Sequence, residues 1–269
     1  MAYFRTSDDA DIYYQVNGEG LAIIFIHGFS ESGHVFKIQR RALSKKYKLI
    51  TYDIRGHGES DRAKHGLTME RLALDLRELI IYLKLDRVTV VAWSMGVSVL
   101  FEYIRNFGPE RLYKICIVDK GPKMINDENW NLGLYHGKYN AEDFKDDLNM
   151  IRYDFPAFCR KFINTMSIDL SEREFKIGLE KMSKNSKQVL YCLWKSMGES
   201  DYRDVMKDID IDTLIVFGED SVLYSVETAE YLRDKIDKSK LEIFSNCGHL
   251  LILEKPRKFN KLIENFIEE

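Results

Sequence analysis

The chain has 269 residues, of which 45% are hydrophobic and 31% charged, and a formal net charge of −3. This composition suits a globular protein with a sizeable core, and the weak negative charge gives no electrostatic reason to expect nucleic acid or an anionic membrane as a partner. The sequence contains neither an apolar run of membrane-spanning length nor the apolar stretch of a signal peptide, so we expect a cytoplasmic protein whose four scattered cysteines stay reduced.

The first elements predicted along the chain are β-strands. Residues 3–17 alternate apolar and polar side chains around a Ser-Asp-Asp turn, which indicates an antiparallel hairpin. From residue 21 onward, apolar strands are separated by helices, a pattern typical of a parallel sheet covered on both faces. The strand at 21–26 ends in His-Gly-Phe29, and the strand at 48–53 runs into the sequence Asp-Ile-Arg-Gly-His-Gly-Glu-Ser at 53–60.

A β-branched strand at residues 87–93 stops at Ser94 and turns directly into a helix that continues to Phe107. The small residues Ala92 and Gly96 flank this serine, as a tight strand-to-helix corner requires. Such a corner exposes the hydroxyl and places the amides of a helix N-terminus beside it, where an oxyanion could form. Ser94 is therefore a candidate nucleophile, although a serine here could also simply cap the helix.

Two further strands follow, and a long helical segment separates them. The strand at 113–118 ends at Asp119, and the strand at 212–217 ends at Gly218. Between them, residues 122–207 show apolar side chains at three- and four-residue steps, and they contain a capping box of the form Ser-x-x-Glu at 171–174. The last strand, at 241–244, precedes Asn-Cys-Gly-His at 246–249, and the last helix is predicted to begin at Pro256.

Four segments together resemble the α/β-hydrolase family: His-Gly-Phe at 27–29, the Asp-x-Arg-Gly-His-Gly-x-Ser run at 53–60, Ala-Trp-Ser-Met-Gly at 92–96, and Cys-Gly-His at 247–249. The order of serine before histidine also fits that family. The resemblance implies an α/β fold with a mostly parallel central sheet, an N-terminal antiparallel hairpin, helices on both faces and a helical lid.

The same resemblance implies a domain organisation and a set of site residues. Residues 1–121 and 208–269 would form the core, and 122–207 the lid, or cap, inserted into it. Ser94 would be the nucleophile and His249 its general base. The backbone amides of Phe29 and Met95 would form the oxyanion hole.

The acid of the triad is the point at which this sequence departs from the family. The usual aspartate stands three residues after the glycine that ends the penultimate strand, and here that position holds Ser221. Asp119, at the end of the strand after the serine helix, is the preferred acid, because some family members place theirs there. Asp220 is the alternative acid, and the absence of a true acid is the third possibility.

These residues predict a hydrolase that cleaves a carboxylic ester or related acyl compound through an acyl-enzyme intermediate, with a small-molecule acyl substrate. A thioesterase, a lactonase, a C–C bond hydrolase and a low-turnover ligand-binding member of the fold remain alternatives. A serine rather than an aspartate nucleophile argues against dehalogenation and epoxide opening. No metal-ligand spacing and no glycine-rich phosphate loop occurs, so no metal and no cofactor is expected. The sequence does not predict the oligomeric state.

Overall fold

The computed structural model describes residues 2–62, 65–166 and 170–269. The strands are β1 Ala2–Arg5, β2 Asp11–Asn17, β3 Ala22–Ile26, β4 Lys48–Tyr52, β5 Val88–Trp93, β6 Leu112–Val118, β7 Thr213–Gly218 and β8 Ser239–Phe244. The helices are α1 Lys37–Leu43, α2 Met69–Tyr82, α3 Met95–Phe107, α4 Leu134–Gly137, α5 Ala141–Tyr153, α6 Phe155–Asn164, α7 Glu172–Ser183, α8 Lys187–Gly198, α9 Val226–Lys235, α10 Leu251–Glu254 and α11 Pro256–Glu268. Residues 167–169 of the predicted lid, and Met1, 63 and 64 of the predicted core, lie outside the described residues.

The described strands form one eight-stranded sheet in the order β1-β2-β4-β3-β5-β6-β7-β8. Strand β2 pairs antiparallel with both β1 and β4, and every other neighbouring pair is parallel. The predicted mostly parallel sheet with an N-terminal antiparallel hairpin is therefore confirmed. Because the parallel strands share one direction, the loops after β5, β6, β7 and β8 all leave the same edge of the sheet.

Alternate side chains of the central strands pack into two separate hydrophobic clusters, one on each face of the sheet. In β3, Ile24 and Ile26 join a cluster that includes α2 and α3, whereas Ile23 and Phe25 join a cluster that includes α1 and α11. This alternation follows from the two-residue period of a strand, and burial on both faces explains why β3 and β5 read as continuous apolar runs. The β8 strand begins at Ser239, earlier than predicted, because an edge strand needs no apolar pattern to pair.

The helical segment between β6 and β7 consists of α4 to α8. The predicted capping box at the start of α7 is confirmed, since Ser171 and Glu174 each accept from the other's backbone amide. The last helix begins at Pro256, as predicted. Within the described ranges, no helix combines the length and the apolar composition needed to cross a bilayer.

The loop after β4 contains an arginine whose whole guanidinium is buried. Arg55 bonds Asp75 through Nε and Nη2, at 2.9 and 2.8 Å, and Asp8 through Nη1 and Nη2, each at 2.7 Å. Its side chain is 0% exposed and that of Asp75 only 2%. This arginine ties the loop after β4 to the first turn of the hairpin and to α2, so the motif at 53–60 has a clear structural function.

Replacing Arg55 with methionine is expected to lower the free energy of unfolding by about 3 kcal/mol, because it leaves the Asp75 carboxylate buried without its main partner. Arg71 still pairs with Asp75, which keeps the loss at the lower end of the range for broken buried ion pairs. The matched control is Arg5→Met, which removes the exposed Arg5–Asp11 pair and should change the free energy of unfolding far less. Urea denaturation measures both values, and equal losses would contradict the prediction.

Candidate active site

Ser94 occupies the corner between β5 and α3 in a strained conformation, with φ 55° and ψ −123°. Its amide donates to Val118 O at 3.0 Å, and its side chain makes no capping hydrogen bond to α3, so the capping role is not what holds it there. Small neighbours allow the corner: a Cβ on Gly96 would lie 2.5 Å from Ile26 O, and one on Gly28 would lie 3.0 Å from Ser94 Cβ. A conformation this uncommon for a non-glycine residue is typical of functional sites.

His249 lies in the loop after β8, buried at the edge of the sheet where Ser94 also lies. Its Nδ1 is 2.5 Å from Asp119 Oδ2. Trp93, the residue before the serine, donates from Nε1 to His249 O at 3.0 Å, and its ring centroid lies 5.3 Å from the imidazole. These contacts fix the orientation of the ring. Asp119 contacts Nδ1, so the other ring nitrogen, Nε2, is not engaged by Asp119.

Ser94 and His249 line the same cavity, which has a volume of about 210 Å³. Among the described residues, no hydrogen bond joins the Ser94 hydroxyl to the imidazole. Such bonds are often long without substrate and tighten when it binds. The rest of the lining comes from the loop after β3, the end of β5, helices α6 and α7 with two residues between them, and the residues after His249 into α10: Phe29, Ser30, Glu31, Trp93, Phe162, Ile163, Met166, Leu170, Glu174, Ile177, Gly178, Lys181, Leu250 and Leu253.

Asp119 is the carboxylate that contacts His249. It follows β6 with φ 47°, is 0% exposed, and accepts a second hydrogen bond from Ser221 Oγ at 2.7 Å. Asp220 is exposed instead, and its amide donates to Cys247 O at 3.0 Å. Of the two carboxylates considered from the sequence, Asp119 is therefore the one that lies at the imidazole. Ser221 contacts the acid and not the ring.

Phe29 and Met95, whose backbone amides are the expected oxyanion donors, line a cavity together with the nucleophile. Met95 is the first residue of α3, so its N–H has no partner within the helix. In residues 2–62, 65–166 and 170–269, neither amide donates a hydrogen bond, which leaves both available to an oxygen atom beside Ser94. The Phe29 ring packs against aromatic side chains of α6 and α8, which hold the loop after β3: Phe158, Phe162 and Trp194.

The histidines of the two earlier motifs, His27 and His57, hold loops in place by hydrogen bonds. His27 Nε2 accepts from the amide of Ile54 at 2.8 Å, and burial lowers the pKa of His27 to about 4. His57 Nε2 accepts from the amide of Ser30 at 3.2 Å, and burial lowers its pKa to about 3. Both rings are therefore neutral acceptors near pH 7, which agrees with the structural role expected from their positions beside glycines.

Three residues near the site were not singled out from the sequence: Trp93, Lys120 and Tyr224. Trp93 fixes the backbone of His249, and the only sequence signal for it was its position beside the serine. Lys120 Nζ donates to Tyr224 Oη at 2.7 Å, although the lysine is only 5% exposed. One feature of the sequence could have identified Lys120: it is a charged residue that follows a buried strand, at the carboxyl edge of the sheet.

Comparison with known proteins identifies the family. A family model described as alpha/beta hydrolase fold matches residues 22–256. A provisionally named non-heme chloroperoxidase of Synechocystis sp. is 30% identical over 98% of this chain and 97% of its own length. A pimeloyl-[acyl-carrier protein] methyl ester esterase of Nitrosospira multiformis is 24% identical over 95% of this chain and 97% of its own. The structure of an esterase from Exiguobacterium antarcticum superposes with a TM-score of 0.91 at 24% identity, covering 99% of both chains.

Proposed function

Because this chain belongs to the α/β-hydrolase family, a family of enzymes, we propose that it is a serine hydrolase that cleaves a carboxylic ester through an acyl-enzyme intermediate. The observation that carries the proposal is the Asp119–His249 contact in a site where Ser94 lines the same cavity. The relative named as a methyl ester esterase supports the ester class.

In the proposed reaction, His249 Nε2 takes the proton of Ser94 Oγ as that oxygen attacks the ester carbonyl carbon. The amides of Phe29 and Met95 hold the resulting oxyanion. When the C–O bond breaks, His249 returns the proton to the leaving alcohol oxygen. A water molecule, deprotonated by the same imidazole, then attacks the acyl carbon; the bond from that carbon to Ser94 Oγ breaks, His249 returns the proton to Oγ, and the acid is released. Asp119 orients the ring and stabilises its positive charge, and Ser221 holds Asp119.

We propose further that residues 122–207 act as a lid over this site. Helices α6 and α7 of that segment supply apolar side chains to the cavity that holds Ser94 and His249. The aromatic packing of Phe29 against α6 and α8 couples the segment to the loop that carries an oxyanion donor. An apolar alcohol or acyl portion of a small-molecule substrate would fit this lining.

A fluorophosphonate that reacts with activated serines tests the proposal. Intact-protein and peptide mass spectrometry should find one adduct, on Ser94, and Ser94→Ala should take none. The label reports an activated hydroxyl whatever the natural substrate is. Folded wild-type protein that forms no adduct on Ser94 would contradict the proposal.

Thioester, lactone and C–C bond cleavage would use the same residues, so a panel of these substrates decides between them and the carboxylic ester. A ligand-binding protein without turnover would not need a histidine paired with a buried carboxylate beside a serine. Hydrolysis of a short-chain p-nitrophenyl ester separates that alternative from an enzyme.

A further inference from the structure

A second, smaller cavity, with a volume of about 30 Å³, shares Ser94 and Phe29 with the first. Ser94, Met95 and Phe29 line it, so it adjoins the nucleophile and both proposed oxyanion donors. Its small volume limits any group bound there to a short one. The remaining lining is apolar or aromatic apart from one amine: Lys120, Met124, Leu134, Tyr135, Phe162, Trp194, Met197, Leu223 and Tyr224.

Lys120 is the polar group of this cavity, and its hydrogen bonds are incomplete. The side chain is 95% buried, since its residue exposure is 5%, and its Nζ donates to Tyr224 Oη. An ammonium group has three donors, and no carboxylate in the described part of the chain forms an ion pair with it. A buried ammonium without a countercharge is costly, so a ligand oxygen in this cavity would be strongly favoured.

The position of His249 indicates which cavity would hold the alcohol portion of a bound ester and which would hold the acyl portion. In the proposed reaction the imidazole protonates the leaving alcohol, so that alcohol must lie where His249 lies, in the larger cavity. His249 lines the larger cavity and not the smaller one. The acyl portion then extends from Ser94 into the smaller cavity, toward Lys120.

We propose that Lys120 and Tyr224 form an acyl-end subsite that selects short acyl groups carrying a terminal acceptor oxygen, with a carboxylate bound best. This inference rests on the proposed serine hydrolase function. The lysine pairs with the acyl oxygen and the tyrosine holds the lysine in place. The substrate class is then a monoester of a short dicarboxylic or oxo acid with an apolar alcohol.

Three benzyl esters with acyl groups of the same shape test the subsite: isovaleryl, which lacks a terminal oxygen, acetoacetyl, which has a neutral one, and malonyl, which has an anionic one. The ratio of kcat/KM for malonyl over isovaleryl should fall about tenfold or more in Lys120→Met. Comparing this ratio between variants cancels the intrinsic reactivity of each ester. The matched control is Lys138→Met, an exposed lysine outside both cavities, which should leave the ratio unchanged.

A second measurement needs no variant. Burial lowers the pKa of Lys120 to about 7, so in the free enzyme the amine is charged below that pH and neutral above it. The malonyl-to-acetoacetyl ratio of kcat/KM should therefore be high at pH 6 and fall as pH rises to 8.5, while the contribution of His249 cancels. The titratable groups that line this cavity together with Lys120 are Tyr135 and Tyr224, and burial raises the pKa of each tyrosine above this range.

The two proposals fail in different ways. Ser94-dependent hydrolysis with a malonyl-to-isovaleryl ratio that is the same in wild type and Lys120→Met would overturn the subsite alone. A malonyl-to-acetoacetyl ratio that stays constant from pH 6 to 8.5 would also overturn the subsite alone. Absence of any Ser94-dependent hydrolysis across the three esters would overturn the hydrolase proposal together with the subsite.

Discussion

Hydrolysis of p-nitrophenyl butyrate is expected to fall by about 10⁶-fold in kcat when Ser94 is replaced by alanine. The substitution removes the oxygen that forms the acyl-enzyme but keeps the Cβ, so the strained corner and the cavity lining should persist. The measurement is the initial rate of p-nitrophenolate release at saturating ester, with circular dichroism to verify the fold.

Ser98→Ala is the matched control for this prediction. Ser98 lies one helical turn beyond Ser94, in α3, and is buried, but it does not line the cavity that holds His249. Its replacement should leave kcat within a few-fold of wild type. If Ser94→Ala kept more than a tenth of the wild-type rate, a serine nucleophile at this position would be ruled out.

Replacing Asp119 with asparagine is expected to lower kcat by about 10⁴-fold. The amide keeps the shape of the side chain but carries no charge to stabilise the imidazolium, and its NH₂ group favours the wrong tautomer of His249. Asp220→Asn is the control, because that carboxylate is exposed and does not contact the imidazole. Near-full turnover in Asp119→Asn, or an equally large loss in Asp220→Asn, would show that Asp119 is not the acid.

The contact between Ser221 and Asp119 allows a second, more specific test of which residue is the acid. Ser221 Oγ lies 2.7 Å from the carboxylate oxygen of Asp119 that faces His249. A carboxylate introduced at 221 should therefore reach the imidazole from the neighbouring strand. The double variant Asp119→Asn/Ser221→Asp is expected to recover at least about tenfold of the activity lost in Asp119→Asn. No recovery in a folded double variant would mean that the two positions are not interchangeable.

Much of the fold could be predicted from local patterns. The apolar runs at β3 and β5 predict buried parallel strands because the side chains of such strands are covered on both faces. Ala92 and Gly96 predict the serine corner because only small residues permit the close backbone approach there. The helical segment between β6 and β7 was expected from three- and four-residue apolar spacing, whereas its role as a lid stays a prediction.

The sequence favoured Asp119 as the candidate acid but could not decide between it, Asp220 and the absence of a true acid. Asp119, Asp220 and Ser221 all follow buried strands, and sequence spacing does not show which of these side chains turns toward His249. The positive φ of Asp119 and the pairing of β6 with β7 bring residues 119 and 221 together, and both are consequences of tertiary structure.

By itself, then, the sequence determined the elements and the chemical types of Ser94 and His249, because strand period, turn sterics and nucleophile chemistry are local properties. Only the tertiary structure decided that Asp119 contacts the imidazole and that Lys120 is buried beside the serine. A lysine after a strand would ordinarily reach solvent, and here α4 and Tyr224 cover it. Burial and the direction of a side chain depend on elements far away in the chain, and that is why sequence spacing could not predict them.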